Sequence, residues 1–166
     1  FLLFLFLSGI SMAQTTKEAS TSTLPKAQVA ESKQSVTLDG KVIPLLAKAG
    51  TMELKDENNR PIALFGFTAY FKENPEKNRP IVFAFNGGPG SSSYWLHMGV
   101  MGPKRIVVDD PNYNAAAPYQ LTNNEFSILD VADVVMMDPV GTGLSVPIGD
   151  AKGADFWGVD QDIRST

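Results

Sequence analysis

The chain has 166 residues, enough for one domain, and its 14 Lys and Arg against 18 Asp and Glu give a formal net charge of −4 at pH 7. A mildly acidic chain without a basic stripe is poorly suited to phosphate backbones, so we expect no nucleic-acid partner. The sequence has no cysteine, which excludes disulfides, thiolate zinc sites and lipoprotein-type lipid attachment, and we expect neither a metal nor an organic cofactor.

The first residues have the pattern of a secretory signal peptide. The apolar run FLLFLFL is followed by Ser11, Met12 and Ala13, with small residues on both sides of the methionine, as is typical before a cleavage point. We predict a signal peptide over residues 1–13, with its start missing, and an exported protein, periplasmic or extracellular. The alternative is a membrane anchor, but a span takes about 20 apolar residues and polar residues begin at Gln14, so we expect no stable anchor.

The next segment, residues 14–35, is rich in Thr, Ser, Ala, Lys and Glu and poor in large apolar side chains. Such a segment buries too little apolar surface to offset the entropy lost on ordering. We therefore predict a disordered leader there and a folded domain over residues 36–166.

The domain opens with a pattern typical of antiparallel hairpins. In SVTLDGKVIPLL, an Asp39-Gly40 turn separates two short strands, because both turn residues tolerate positive φ. TMELKDENNRPIALFGFTAYF predicts a second hairpin with a longer turn around Asn58 and Asn59. Four side chains of its last strand share one face by alternation: Phe65, Phe67, Ala69 and Phe71.

Two later runs, IVFAF at 81–85 and DVVMMD at 133–138, are apolar at nearly every position. This pattern predicts strands buried on both faces of a sheet. Each run is followed by a glycine-rich turn, NGGPG after the first and PVGTG after the second. Since ligands of open α/β sheets bind outside the carboxyl ends of the strands, we expect both turns to face one crevice. The tail DFWGVDQDIRST predicts the first turns of a helix.

Glycine-rich turns after buried strands can point backbone N–H groups at an anion, either a phosphate or a tetrahedral oxyanion. The phosphate motif G-x-x-x-x-G-K-[ST] is absent, and GTGLSV lacks the third glycine of the dinucleotide fingerprint. An oxyanion hole needs only one or two fixed donors, each worth ~3 kcal/mol in the transition state. The pattern favours acyl transfer, and two purely structural turns are the alternative.

Three motifs in order, NGGPGSSS followed by MGP, NNEFSILDVADVVMMDPVGTGLSVP and DFWGVDQDI, resemble the start of the serine carboxypeptidase family. The resemblance covers residues 80–163. It implies the α/β-hydrolase fold, an α/β class, here its N-terminal part, in which antiparallel hairpins lead into a mainly parallel sheet. Ser91 stands where plant and yeast members carry cysteine, a feature similar to the exported bacterial branch.

The resemblance also implies roles for the first glycine turn. The backbone N–H of Gly88 would be one oxyanion-hole donor, and Asn86 with the N–H of Gly87 would hold the α-carboxylate of a peptide with a free C-terminus. The implied activity is release of C-terminal amino acids through an acyl-enzyme, using a Ser-His-Asp triad. The family pattern places that triad beyond Thr166, its serine on a G-x-S-x-G elbow, so we expect these 166 residues alone to be inactive.

The remaining conspicuous side chains are interpreted as structural. His97, the only histidine, lies well before the family's catalytic histidine and is expected to be structural or pocket-lining. The serines at 91–93 lack the spacing of an elbow and are expected to be small hydrogen-bonding loop residues. Asp138 occupies a structural position of the family beside the site. Trp95 and Trp157 are expected to lie in the core or in a cleft wall.

Two positions depart from the family pattern. Plant and yeast members carry a tryptophan where this chain has Ala84, and a glutamate where it has Val100. Both residues help there to bind the substrate carboxylate, so their absence puts strict C-terminal specificity in doubt. Without the paired acid, a preference for acidic pH is not implied either.

Other functions stay open at this point. A proline iminopeptidase-like hydrolase also carries a G-G-P-G loop, but with histidine in place of Asn86, and the PVGTG turn argues against it. Transfer of the acyl group to an acceptor other than water uses the same acyl-enzyme. A secreted, non-catalytic binding module would lack the downstream elbow, aspartate and histidine. The sequence leaves the oligomeric state open.

Overall fold

The structure is a computed structural model that describes residues 24–87, 90–108 and 117–166. The strands of this part of the chain are β1 Val29–Leu38, β2 Lys41–Lys55, β3 Pro61–Lys72, β4 Ile81–Phe85, β5 Lys104–Ile106, β6 Leu121–Asn123, β7 Asp133–Met137 and β8 Val146–Pro147. The helices are α1 Tyr94–Leu96, which continues as a π-helical turn over His97–Met101, a 3₁₀ turn over Gly153–Phe156, and α2 Val159–Ser165. The helix predicted in the tail is therefore present as α2.

The main sheet is mixed, with strand order β1-β2-β3-β7-β4 and β8 beside β3. The pairs β1–β2, β2–β3, β3–β7 and β3–β8 are antiparallel. The pair β4–β7 is parallel. Antiparallel hairpins thus lead into the first parallel pair, as the predicted N-terminal part of an α/β-hydrolase requires. The strands β5 and β6 form a separate antiparallel pair.

Both predicted hairpins are confirmed. Asp39 and Gly40 have φ angles of 47° and 74°, and Leu38 pairs with Lys41, so the turn has the two positive-φ residues that suit tight hairpins. The longer turn is organised by Asp56, whose Oδ1 accepts the N–H groups of Asn58 and Arg60, each at 2.9 Å. The two hairpins share β2, which runs unbroken from one turn to the other.

The first strand begins earlier than predicted. β1 starts at Val29, so residues 29–35 are not part of a disordered leader. Their side chains are all exposed, and the segment pairs through its backbone with residues 44–50 of β2. The composition of this segment reflects side-chain burial alone, whereas the strand is held by backbone ladder hydrogen bonds. The signal-peptide prediction over residues 1–13 lies outside the described residues.

The core is formed mainly by side chains of the main-sheet strands β1, β2, β3, β4 and β7. Nine buried side chains form its main cluster: Val36, Leu38, Ile43, Leu45, Tyr70, Ala84, Leu129, Val134 and Met136. A smaller cluster comprises Ala63, Phe65, Val140 and Phe156. β7 is buried or half-buried along its whole length, which confirms the prediction for this run.

The same prediction is wrong for β4. Ile81, Phe83 and Phe85 expose 49%, 61% and 57% of their surface, whereas Ala84 is buried. β4 is the last strand on its side of the sheet, and alternation turns its odd-numbered side chains to a face that no described element covers. The apolar run therefore has one buried face and one exposed face in this part of the chain.

A buried arginine fixes the start of β7. The Arg79 side chain is 4% exposed and donates hydrogen bonds to the backbone oxygens of Leu129, Asp130 and Ala132, at 2.7 to 2.8 Å. Its Nε lies 2.9 Å from Oδ1 of Asp133. The guanidinium thus joins the segment before β4 to the turn that leads into β7.

We predict that Arg79→Leu lowers the free energy of unfolding by about 3 kcal/mol or more, because the buried Asp133 carboxylate loses its cation. Arg60→Leu is the matched control, since Arg60 is 73% exposed in its ion pair with Asp56 and its loss should lower the free energy of unfolding far less. Urea denaturation of the full-length protein measures both values. Similar losses in the two variants would contradict a structural role for Arg79.

Candidate active site

The two glycine-rich loops leave the sheet side by side. β4 and β7 are parallel, and their last residues, Phe85 and Met137, are paired in register. The first loop touches the second through Ser93, whose N–H donates to Oδ1 of Asp138 at 2.8 Å. The two loops therefore start from the same end of the sheet, and the expectation that they face one crevice stays a prediction.

Asp138 connects the parts of this edge. Its Oδ2 accepts the N–H of Leu144 at 3.3 Å, so the carboxylate binds both loops. Its own N–H donates to the carbonyl of Gly66 in β3 at 3.0 Å, and its carbonyl accepts from the Ser145 hydroxyl at 2.6 Å. With both carboxylate oxygens engaged, Asp138 has the structural role that the family resemblance implied.

The second loop approaches this carboxylate closely. Gly143 has φ of 51°, and a Cβ on it would stand 2.0 Å from Oδ2 of Asp138 and 3.1 Å from Cβ of Ser92. Positive φ and the lack of space both exclude a larger residue. The glycine in PVGTG therefore serves close packing between the loops.

Asn86 and Gly87 lie together just after β4. The Asn86 side-chain amide donates one N–H to the carbonyl of Gly87 at 3.1 Å, and its second N–H has no hydrogen-bond acceptor among the described residues. Gly87 is exposed, and no described atom lies within 4 Å of where a Cβ would stand. Asn86 itself is half-buried, and Gly88, the candidate oxyanion donor, lies outside the described residues.

Ser93 is the most buried of the loop serines, with 2% exposure. Its hydroxyl accepts the Asn86 N–H at 3.2 Å and donates to the carbonyl of Met137. These bonds fulfil the prediction of hydrogen-bonding loop serines at this position. Ser91 and Ser92 are half-buried.

His97 and Tyr70 form a pair behind the loop. His97 Nε2 lies 2.7 Å from the Tyr70 hydroxyl, and their ring centroids are 5.5 Å apart. Burial lowers the pKa of His97, with the Asp138 carboxylate opposing that shift, and burial raises the pKa of Tyr70. Both shifts favour a neutral imidazole beside a protonated phenol at neutral pH. The pair ties the π-helical turn to β3, which suits a structural histidine.

The two tryptophans are not in the core. Trp95 is 60% exposed and Trp157 is 68% exposed, so the core alternative is wrong for both. Trp95 lines a cleft of about 600 Å³ together with Met98 and Phe126, which confirms the cleft-wall alternative for this residue. Trp95 lies on the short helix α1, and no described element covers its side chain.

The two departures from the family pattern occupy different environments. Ala84 is buried in the core cluster, so its side chain points into the sheet packing. Val100 lies on the π-helical turn and is 53% exposed. No carboxylate is therefore supplied at position 100, and the candidate ligands of an anion at this edge are uncharged amides.

Neither a metal site nor a membrane span is found in residues 24–87, 90–108 and 117–166. This part of the chain has no group of three or more His, Cys, Asp or Glu residues placed to hold a metal ion. None of its helices has the length and apolar character needed to cross a bilayer.

The contacts of Tyr70 with His97 and of Ser93 with Met137 were not predicted from the sequence. Tyr70 belongs to the apolar strand segment FTAYF and lies on the face opposite to Phe71. Because a buried tyrosine hydroxyl usually has a hydrogen-bond partner, its presence in this segment was a signal for such a contact. Ser93 precedes α1, where a serine commonly caps the helix, but it makes no side-chain cap. Its role depends on the hydrogen bond with Met137 of β7, which is 44 residues away in the sequence.

The His97 pair leads to a prediction about pH. Because the pKa of His97 is lower in the folded protein than its ordinary value of about 6.5, the neutral form stabilises the fold. This contribution is complete above about pH 6.5 and is lost as the pH falls from there to the folded pKa. We expect wild-type protein to lose more thermal stability between pH 7 and pH 5 than His97→Gln, which does not titrate.

The difference between the two proteins in Tm, measured across that pH range, isolates the histidine from carboxylates common to both. Tyr70→Phe serves as a control that keeps the titrating imidazole and removes its hydroxyl partner. Parallel pH curves for wild type and His97→Gln would show that the imidazole contributes no pH dependence.

Sequence comparison relates the chain to known proteins. The sequence profile described as serine carboxypeptidase matches residues 40–155. The chain is 39% identical over 104 residues to pheromone-processing carboxypeptidase KEX1 of Clavispora lusitaniae, covering 62% of this chain and 14% of that protein. It is 32% identical over 105 residues to vacuolar serine-type carboxypeptidase ATG42 of Saccharomyces cerevisiae, covering 63% of this chain and 18% of that protein.

A solved structure, that of a prohormone-processing carboxypeptidase from Saccharomyces cerevisiae, is 28% identical and aligns with a TM-score of 0.46, over 61% of this chain and 21% of the other. The chain therefore spans between about a seventh and a fifth of the length of these relatives. The profile match covers most of the chain, including the hairpin of β2 and β3 and both glycine-rich loops. The chain belongs to the serine carboxypeptidase family, a family of peptidases with the α/β-hydrolase fold.

Proposed function

We propose that this chain is the N-terminal part of a serine-type carboxypeptidase that releases C-terminal amino acids from peptides through an acyl-enzyme. The observation that carries the proposal is the placement of Asn86 and Gly87 just beyond the carboxyl ends of β4 and β7, where Gly87 is exposed and no described atom lies within 4 Å of where its Cβ would stand. A carboxypeptidase must recognise a terminal carboxylate, and Asn86 and Gly87 offer amide donors to one.

The chemistry of the pair suits a carboxylate. The second N–H of the Asn86 side chain and the backbone N–H of Gly87 are donors, and a carboxylate is a pure acceptor. Hydrogen bonds to a charged partner contribute about 1.5–3 kcal/mol each. Two such bonds are enough to distinguish a peptide that ends in a free acid from one that ends in a neutral amide.

The reaction itself needs residues beyond this pair. We propose that the backbone N–H of Gly88 stabilises the oxyanion, and that a serine, a histidine and an aspartate beyond Thr166 form the triad. The histidine takes the proton of the serine hydroxyl as the serine attacks the last peptide bond, and it then protonates the departing amino acid. Water hydrolyses the acyl-enzyme in the second half of the reaction. The 166 residues alone are accordingly proposed to be inactive.

The surroundings of the pair also bear on pH. Val100 stands where a paired acid would be, and the amides of Asn86 and Gly87 do not titrate. We propose that carboxylate binding by this protein is independent of a shared-proton acid pair and therefore does not require acidic conditions.

We propose further that the protein is exported, to a periplasmic or extracellular location, and belongs to the bacterial branch of the family. The apolar run before Ser11 and the small residues around Met12 support export. One matched relative is named as a vacuolar enzyme, a destination that is also reached through the secretory route. Ser91, in place of the cysteine of plant and yeast members, supports the bacterial branch.

The test uses the full-length protein with two blocked dipeptides that differ only in a C-terminal free acid or amide. We expect the free acid to be cleaved with the higher kcat/KM, and Asn86→Ala to reduce that preference by about tenfold or more, as loss of one charge-assisted hydrogen bond requires. The matched control is Asn123→Ala, because Asn123 bonds the backbone of Thr37 in β1. It should leave the preference unchanged.

Each other result favours a different function. Equal wild-type rates on the two peptides would indicate a serine hydrolase without carboxylate recognition. Release from neither peptide would favour a non-catalytic binding module, and transfer of the acyl group to an added amine in preference to water would favour an acyltransferase.

A further inference from the structure

We infer that Ser93 is a positioning residue for the carboxylate site, acting through Asn86. This inference rests on the proposed function, because it concerns how the same site is held in shape. Ser93 itself is 2% exposed and is not placed in contact with the substrate.

The Ser93 hydroxyl links β4 and β7 just beyond their last paired residues. Phe85 and Met137 are the last paired residues of β4 and β7, and Asn86 is the first residue beyond them. The hydroxyl accepts the N–H of Asn86 at 3.2 Å and donates to the carbonyl of Met137. It therefore bridges two backbone groups that no longer meet directly, and it holds the Asn86 backbone to β7.

A hydroxyl is suited to this task because it accepts and donates at the same time, in a small volume. The backbone N–H of Ser93 is in turn fixed by Asp138 Oδ1 at 2.8 Å, so the bridging side chain is itself anchored to the end of β7. Ser93 also stands at the N-cap position of α1 but leaves the helix uncapped. Its hydroxyl is engaged entirely by Asn86 and Met137.

The hydrogen bonds of Ser93 set the positions of the two proposed donor groups. The Asn86 side chain and the N–H of Gly87 project from the backbone that Ser93 fixes. Donors that are already in place before the ligand arrives bind more tightly than donors that must be ordered on binding. Loss of the hydroxyl should therefore weaken recognition of a terminal carboxylate without removing any group that touches it.

The chain contains a close structural match for use as a control. Ser145 is 1% exposed; its hydroxyl accepts the N–H of Gly66 at 2.6 Å and donates to the carbonyl of Asp138 at 2.6 Å. It thus makes the same two kinds of hydrogen bond at the next residue of the same strand end. Its partner strand is β3, and it has no hydrogen bond with Asn86.

The experiment compares Ser93→Ala, Ser93→Cys and Ser145→Ala in the full-length protein. KM and kcat are measured for blocked dipeptides with a free acid and with an amide, and Tm is measured for each variant. We expect both Ser93 variants to raise KM for the free acid by about tenfold, with a much smaller change for the amide. Ser145→Ala should lower Tm comparably and leave the ratio of the two KM values as in wild type.

Ser93→Cys fills the same space with a weakly hydrogen-bonding thiol, so it provides the answer if the alanine variant does not fold. Hydrogen exchange supplies a second readout: the Asn86 amide should exchange faster in the Ser93 variants and not in Ser145→Ala. This readout follows the hold on Asn86 directly and is independent of turnover.

The possible results distinguish the positioning role of Ser93 from the proposed carboxylate site. If wild type prefers the free acid and the Ser93 variants keep that preference, the positioning role is wrong and the proposed function stands. If Ser145→Ala reduces the preference as much as Ser93→Ala, the effect is general loosening and the positioning role is again wrong. If wild type shows no preference, the proposed carboxylate site fails, and the role of Ser93 in it fails with it.

Discussion

The end of β7 is the point on which the arrangement of both glycine-rich loops depends. Asp138 accepts hydrogen bonds from Ser93 in the first loop and Leu144 in the second, and Gly143 passes too close to its carboxylate for any side chain. A carboxylate can bind two backbone donors at once because its two oxygens are both acceptors. The relative position of the loops is thus set by one side chain that the substrate is not proposed to touch.

β7 can hold this position because it is fixed at both ends and buried between them. Arg79 binds the turn before it and pairs with Asp133 at its first residue. The hydroxyls of Ser93 and Ser145 bond the carbonyls at and just after its last residue. Buried polar groups of this kind are stable only when all their hydrogen bonds are made, and the described residues have no buried side-chain nitrogen or oxygen atom without a partner. The network therefore rigidifies the end of β7, and each buried side-chain polar atom of the described residues has a hydrogen-bond partner that offsets its desolvation.

The parts of this architecture that were predictable from sequence are those fixed by local chemistry. The Asp39-Gly40 turn follows from two residues that tolerate positive φ, and β7 follows from a short apolar run between turn signals. The family motifs then placed Asn86 and Gly87 at the loop after β4. Each of these inferences depends on residues that are neighbours in sequence.

The parts that were not predictable depend on distant residues or on missing ones. β1 extends back to Val29 because β2 offers a backbone partner, which no property of residues 29–35 reveals. The composition of β4 predicts a doubly buried strand, but its odd-numbered side chains are exposed because no described element packs on that face. Ser93 and Tyr70 owe their roles to contacts across 44 and 27 residues, and periodicity carries no information about such pairings.

The proposed carboxylate site shows what a neutral clamp requires. A charged partner attracts a carboxylate over several ångströms, whereas amide donors act only within hydrogen-bond reach and must be correctly aimed. With Val100 and Ala84 at the two positions that assist binding elsewhere in the family, Asn86 and Gly87 depend on a rigid backbone. The dense hydrogen bonding behind the loop, through Ser93 to Met137 and Asp138, supplies that rigidity. In this proposal, precise placement of two amide donors takes over from the tryptophan and glutamate that other family members carry at positions 84 and 100.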